Sequence, residues 1–123
     1  MEKIFISWEE TGIMIEQLTK KIKESKLQFD GIYGVPRGGL PLAVAISHRL
    51  ELPILTYPTP KSLVVDDISD TGKTLANMGN KKIACLFTTD WTEAKPDWFI
   101  KKKERQTQWL VFPWEDQTRE GDK

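Results

Sequence analysis

Cysteine and histidine are nearly missing from this chain: Cys85 and His48 are the single examples among 123 residues. Set in the apolar run Ile83-Ala84-Cys85-Leu86-Phe87, the cysteine reads as core rather than as a nucleophile. The histidine has no second imidazole with which to build a metal site. Net charge is missing too, with 18 basic residues against 18 acidic ones, so nothing points to nucleic acid as a partner. No apolar stretch reaches membrane-spanning length, and the opening Met-Glu-Lys-Ile is no signal peptide, which together lead to an expected cytoplasmic location without a membrane partner. Repeats, linkers and low-complexity tracts are absent as well. A chain of this length buries one core, and a single domain over 1–123 is expected.

What the chain does contain is an alternation of elements. A helix is predicted from Ser7, whose hydroxyl can pair with Glu10 in a capping box, and Trp8, Ile15, Leu18 and Ile22 recur on one face of it. A strand over 29–34 follows, then a helix over 40–50, strands over 53–56 and 62–65, a short helix over 73–79 and a strand over 82–87. Strands alternating with helices predict an α/β fold, a parallel sheet flanked by helices. The tail over 98–114 is expected to add two short strands as a small C-terminal hood. Between them the basic run Lys101-Lys102-Lys103-Glu104-Arg105 reads as a solvated turn.

Chemistry concentrates in Leu63-Val64-Val65-Asp66-Asp67-Ile68-Ser69-Asp70-Thr71-Gly72-Lys73-Thr74. Asp66 and Asp67 emerge where an apolar strand ends, the edge at which open parallel sheets bind ligands. Paired carboxylates there can hold ribose hydroxyls or magnesium. Asp70 stands apart on the turn and can act as a general base. Thr71, Gly72, Lys73 and Thr74 bring amides, hydroxyls and an ammonium to a helix start, a cradle for a phosphate monoester. A second strand leads into Val35-Pro36-Arg37-Gly38-Gly39-Leu40. There Gly38 and Gly39 can expose their amides, and Arg37 supplies a forked cation matched to phosphate oxygens. Two anion cradles on one sheet edge imply a doubly phosphorylated ligand.

These two stretches resemble the signature loops of the type I phosphoribosyltransferases, and the chain is most similar to the small xanthine-guanine and hypoxanthine enzymes of that family. L-V-V-D-D-I-S-D-T-G-K-T resembles the phosphoribosyl pyrophosphate (PRPP) motif, and V-P-R-G-G-L the pyrophosphate loop. Ile6-Ser7-Trp8-Glu9-Glu10 and Gln108-Trp109-Leu110-Val111-Phe112-Pro113-Trp114-Glu115 extend the likeness to both ends.

The resemblance implies transfer of phosphoribose from PRPP to a purine base, giving nucleotide and pyrophosphate. It implies Asp66 and Asp67 on the ribose hydroxyls, directly or through Mg2+, and Asp70 on the purine N7 proton. Thr71 to Thr74 would bind the 5-phosphate, and Arg37 and Gly38 the pyrophosphate. Trp109 would stack on the base, Leu110 would offer main-chain groups to its edge, and Glu115 would stand near the metal. PRPP, purine base and nucleotide are the implied small-molecule partners, and a homo-oligomer is expected.

The chain departs from the family pattern at two places. Family members commonly place a lysine after the last predicted strand to read the 6-oxo group, but Thr89 falls there, a weaker donor; Lys95 is the alternative cation. Members also carry a long mobile loop before the PRPP motif. Here Tyr57 to Ser62 are all that joins the strands, spanning at most about 20 Å extended, too little for a lid. A regulator or sensor that binds PRPP or a nucleotide without turnover is therefore the alternative to an enzyme.

Overall fold

The computed structural model describes residues 1–79 and 81–116. In chain order the elements are β1 (Glu2–Phe5), α1 (Trp8–Ser25), β2 (Ile32–Gly34), α2 (Gly39–Leu50), β3 (Leu63–Ser69), α3 (Lys73–Ala76), β4 (Lys82–Thr88), β5 (Lys101–Lys102) and β6 (Gln108–Val111). The main sheet has the order β2-β3-β4-β5 and every pairing in it is parallel. This is the helix-flanked parallel sheet that the alternation of elements predicts.

Local chemistry sets the ends of the helices. Ser7 Oγ accepts the Glu10 N–H at 3.0 Å and Glu10 Oε1 accepts the Ser7 N–H at 3.4 Å, so the capping box closes and α1 starts where expected. Ile15, Leu18 and Ile22 of α1 are buried, joined by Met14, and pack with Leu42, Ala43 and Ile46 of α2 in one core that also takes Ile32, Leu63 and Val65 from the sheet. Trp8 does not join them: it is 66% exposed, its ring standing edge-on to Trp114 at 6.2 Å. The opposite face of the sheet carries a smaller cluster built from Val64, Ile83, Cys85 and Leu75. Both faces being covered explains the uninterrupted apolar run that opens β3.

Several expected elements differ, and the strand over 29–34 and the helix over 73–79 are shortened to Ile32–Gly34 and Lys73–Ala76. The strand over 53–56 is reduced to one bridge between Ile54 and Ile32, since Pro53 has no N–H to donate and only its carbonyl takes part, accepting from Ile32 at 2.8 Å. β3 runs on past 65 because β4 keeps pairing with it, Asp66 with Cys85, Ile68 with Phe87 and Ser69 with Thr88. In the tail, β5 joins the main sheet at Phe87 and Thr88, so the basic run is no hairpin turn. The hood forms instead from β6 and β1, paired in parallel from Glu2 with Gln108 to Phe5 with Val111. Among the described residues no helix is long and apolar enough to cross a membrane.

Candidate functional site

β2 and β3 are neighbours and end at the same edge, so the segments that follow them meet there. The Val35 N–H donates to the Val65 carbonyl at 3.0 Å, which lays the 35–39 loop along β3. Glycine is required for that approach: a Cβ on Gly38 would overlap the Asp67 carboxylate, and one on Gly39 would come within 2.5 Å of the Val65 oxygen. The Pro36–Arg37 peptide is cis, and Arg37 is exposed.

A cavity of about 790 Å³ opens over this edge. Pro36, Arg37 and Gly38 line one side, Asp66, Asp67 and Ile68 the floor, and Lys3, Phe5, Trp109, Val111, Trp114 and Glu115 the hood side. A second hollow of about 150 Å³ is lined by Asp70, Thr71, Gly72, Lys73 and Thr74, and it shares Asp66 and Ile68 with the first. Its rim is the first turn of a helix, whose leading N–H groups have no partner within the helix. Gly72 holds the left-handed φ of 78° that this turn needs.

Burial pushes Asp66 up from the usual 3.8 to about 8, and the adjacent Asp67 charge and carboxylate contact push the same way. Asp67 is also raised by burial, against a side-chain hydrogen bond with Asp66 and the Ile68 N–H, which donates at 2.8 Å. Two adjacent desolvated carboxylates disfavour double ionisation and suit a hard cation or a hydroxyl-rich sugar. Glu115 lines the same cavity, its Oε2 accepting the Phe112 N–H at 2.8 Å. Among the described residues no three of His, Cys, Asp and Glu converge as a metal cluster. Magnesium is nevertheless held typically by one or two carboxylates together with substrate phosphates, and the aspartate pair fits that donor set.

Asp70 is held on every oxygen. Its Oδ2 accepts Lys103 Nζ at 2.6 Å and its Oδ1 accepts Trp91 Nε1 at 2.9 Å. Its carbonyl takes the Thr89 hydroxyl at 2.7 Å. Thr89 is thus buried behind the turn rather than lining the larger cavity, and Lys95 is exposed. Of the residues expected at the base, Trp109 lines the cavity with Val111, while Leu110 between them is buried and pairs with Ile4. The Lys3 ammonium lies over the Trp109 ring, 5.0 Å from its centroid.

The sequence assigns no role to Lys3 or Phe5; Trp91 reads there as packing and Lys103 as part of a solvated turn, whereas both donate to the Asp70 carboxylate and Lys103 is buried. A period-2 pattern over Glu2–Phe5 could have placed Lys3 and Phe5 on one face, but four residues are too few to carry it.

No family model matches the chain. The xanthine-guanine phosphoribosyltransferase of Idiomarina loihiensis is 27% identical, over 92% of this chain and 87% of that protein. That alignment spans 144 positions, more than the 123 residues here, so the relative carries segments that this chain lacks. Among solved structures, the purine phosphoribosyltransferase of Pyrococcus horikoshii is 36% identical with a TM-score of 0.79, covering 94% of this chain and 96% of that one. The xanthine-guanine-hypoxanthine phosphoribosyltransferase of Helicobacter pylori shares the fold at a TM-score of 0.78 and 21% identity, over 92% and 94% of the two chains.

Proposed function

The chain belongs to the type I phosphoribosyltransferase family, and from that premise we propose that it transfers the phosphoribosyl group of PRPP to a purine base and releases pyrophosphate. One observation carries the reading. A single cavity brings the Arg37-Gly38 loop, the Asp66–Asp67 pair and Trp109 to facing walls, and it opens at Asp66 onto the Asp70–Thr74 hollow. Pyrophosphate, ribose, base and 5-phosphate each find matching chemistry in that order.

In this reading Thr71, Gly72, Lys73 and Thr74 take the 5-phosphate through amides, hydroxyls and the ammonium. Asp66 and Asp67 take the ribose hydroxyls and would hold Mg2+, which supplies positive charge for the departing pyrophosphate. Arg37 places a forked cation on that leaving group as positive charge grows on the ribose carbon. Asp70 receives the N7 proton of the base. Its two carboxylate oxygens keep unshared lone pairs after accepting one bond each, so it can still accept from an incoming N–H. Trp109 offers a stacking face for the purine.

The six residues from Tyr57 to Ser62 favour a second reading, binding without turnover. That connection closes on itself, with the Thr59 N–H donating to Ser62 Oγ at 3.1 Å and the Ser62 hydroxyl returning to the Thr59 carbonyl at 2.9 Å. A lid that excludes water from the ribose carbon cannot come from it. Pyrophosphate release from PRPP and magnesium, with guanine, xanthine, hypoxanthine and adenine supplied separately, tests the two. Consumption of a purine supports the transferase, whereas tight PRPP binding with no purine consumed sinks it in favour of the sensor.

A further inference from the structure

A lysine in the middle of a basic run would ordinarily extend into solvent. Lys103 does not. It is 8% exposed, its N–H donates to the Thr88 carbonyl at 2.9 Å, and its ammonium reaches Asp70 at 2.6 Å. Burying an ammonium is costly unless a partner compensates it, so the fold keeps this charge inside only by pairing it. Its neighbours Lys101 and Lys102 stay exposed, and Lys102 pairs with Asp90 on the surface.

The partner that compensates Lys103 is the one carboxylate of the turn assigned to the base. Trp91 closes the arrangement: its indole N–H donates to the other Asp70 oxygen, and Lys103 Nζ stands 5.9 Å from its ring centroid. Thr89, Trp91 and Lys103 therefore clamp the main chain and both carboxylate oxygens of Asp70 from behind. Lys103 lines neither cavity, whereas Asp70 lines the smaller one. The geometry points to Lys103 as a positioning residue that acts on the substrate through Asp70, fixing the plane of its carboxylate toward the base. This rests on the transferase reading for its account of what Asp70 does, but the clamp itself stands on the contacts alone.

The test is a double-mutant cycle on K103M, D70N and K103M/D70N, with K103R as the conservative variant. Turnover and equilibrium binding of guanosine 5′-monophosphate and of PRPP with magnesium are both measured. A catalytic group displaced by about 1 Å can cost about 100-fold, and K103M is expected to lower kcat by up to about that factor. Its KM for PRPP should stay within about threefold, because the 5-phosphate and pyrophosphate cradles do not touch Lys103. K103R should restore part of the loss, and adding K103M to D70N should cost little more than D70N alone. K103M with unchanged kcat, or losses that multiply in the double variant, overturns the inference.

If the wild type turns nothing over but binds the nucleotide, the transferase reading falls and the cycle is read on nucleotide affinity. Non-additive weakening then supports Lys103, and unchanged affinity overturns it. A wild type that binds PRPP but no nucleotide overturns the inference too. Should K103M fail to fold, K103R and K103R/D70N are compared by the same criteria.

Discussion

The ammonium of Lys3 and the indole of Trp109 face each other across the parallel β1–β6 pair, 5.0 Å from nitrogen to ring centroid. A purine stacking in the cavity must share the Trp109 ring with that cation or displace it.

Trp109→Ala should therefore remove the stacking face and leave the phosphate cradles intact. Base–aromatic stacking is worth about 1–3 kcal/mol, which corresponds to a rise of about 5- to 150-fold in KM for the base. The KM for PRPP should change little. Steady-state kinetics with each substrate varied in turn checks both halves, and an equal rise in the two constants would show that Trp109 holds the fold rather than the base.

Asp66 binds its proton more tightly in the folded chain than in the unfolded one, since burial raises it from 3.8 to about 8. Its contribution to stability is therefore fully present below 3.8 and is lost as pH rises toward about 8. The ligand-free protein should become less stable across that window, and Asp66→Asn should flatten the slope. Denaturant unfolding at a series of pH values measures it. Binding of PRPP with magnesium near neutral pH should also release protons, because a cation on the pair competes with the one bound there. Calorimetry in two buffers of different ionisation enthalpy reads that release directly.

Gly39→Ala would set a methyl within 2.5 Å of the Val65 carbonyl and 3.1 Å of Asp66 Cα. Backbone cannot yield as a side-chain tip does, so the 35–39 loop must move off β3. A loss of about 1–3 kcal/mol in unfolding free energy is expected, with weaker pyrophosphate binding measured by titration. Gly12→Ala is the control, since nothing lies within 4 Å of a Cβ there; being inside α1, it should be neutral or slightly stabilising.

Asp70→Asn should lower turnover by about 100- to 10,000-fold, the range for loss of a general base, while PRPP affinity survives. It also strands the Lys103 ammonium without its charged partner, so the melting temperature should fall as well. Equal loss of PRPP binding and turnover would count against a role at the base.

Much of this architecture was legible in the sequence because its signals are local. The capping box at Ser7 and Glu10, the apolar start of β3 and the Gly38-Gly39 pair each need only a few neighbouring residues. The hood is not legible, for the opposite reason: β1 is four residues long, and its partner is β6, distant in sequence. Parallel partners are joined by no turn that could mark them. Lys103 was hidden differently. In a run of five residues with four cations, composition predicts solvent, and only the tertiary position of Asp70 decides otherwise. β3 outran its expected end because Asp66 and Asp67 read as strand breakers until β4 is there to pair with them.

The pairing of Glu2–Phe5 with Gln108–Val111 bears on how the molecule comes into being on the ribosome. The segments 35–39 and 66–74 at the sheet edge both precede β4 in the chain. β1 precedes its partner β6 by most of this sequence and lacks that pairing until β6 arrives. In the proposed reading the segments that take the phosphates are thus made before the β6 wall that takes the base, and until β6 follows, Glu2–Phe5 is an unpaired strand that a chaperone or a neighbouring chain can engage.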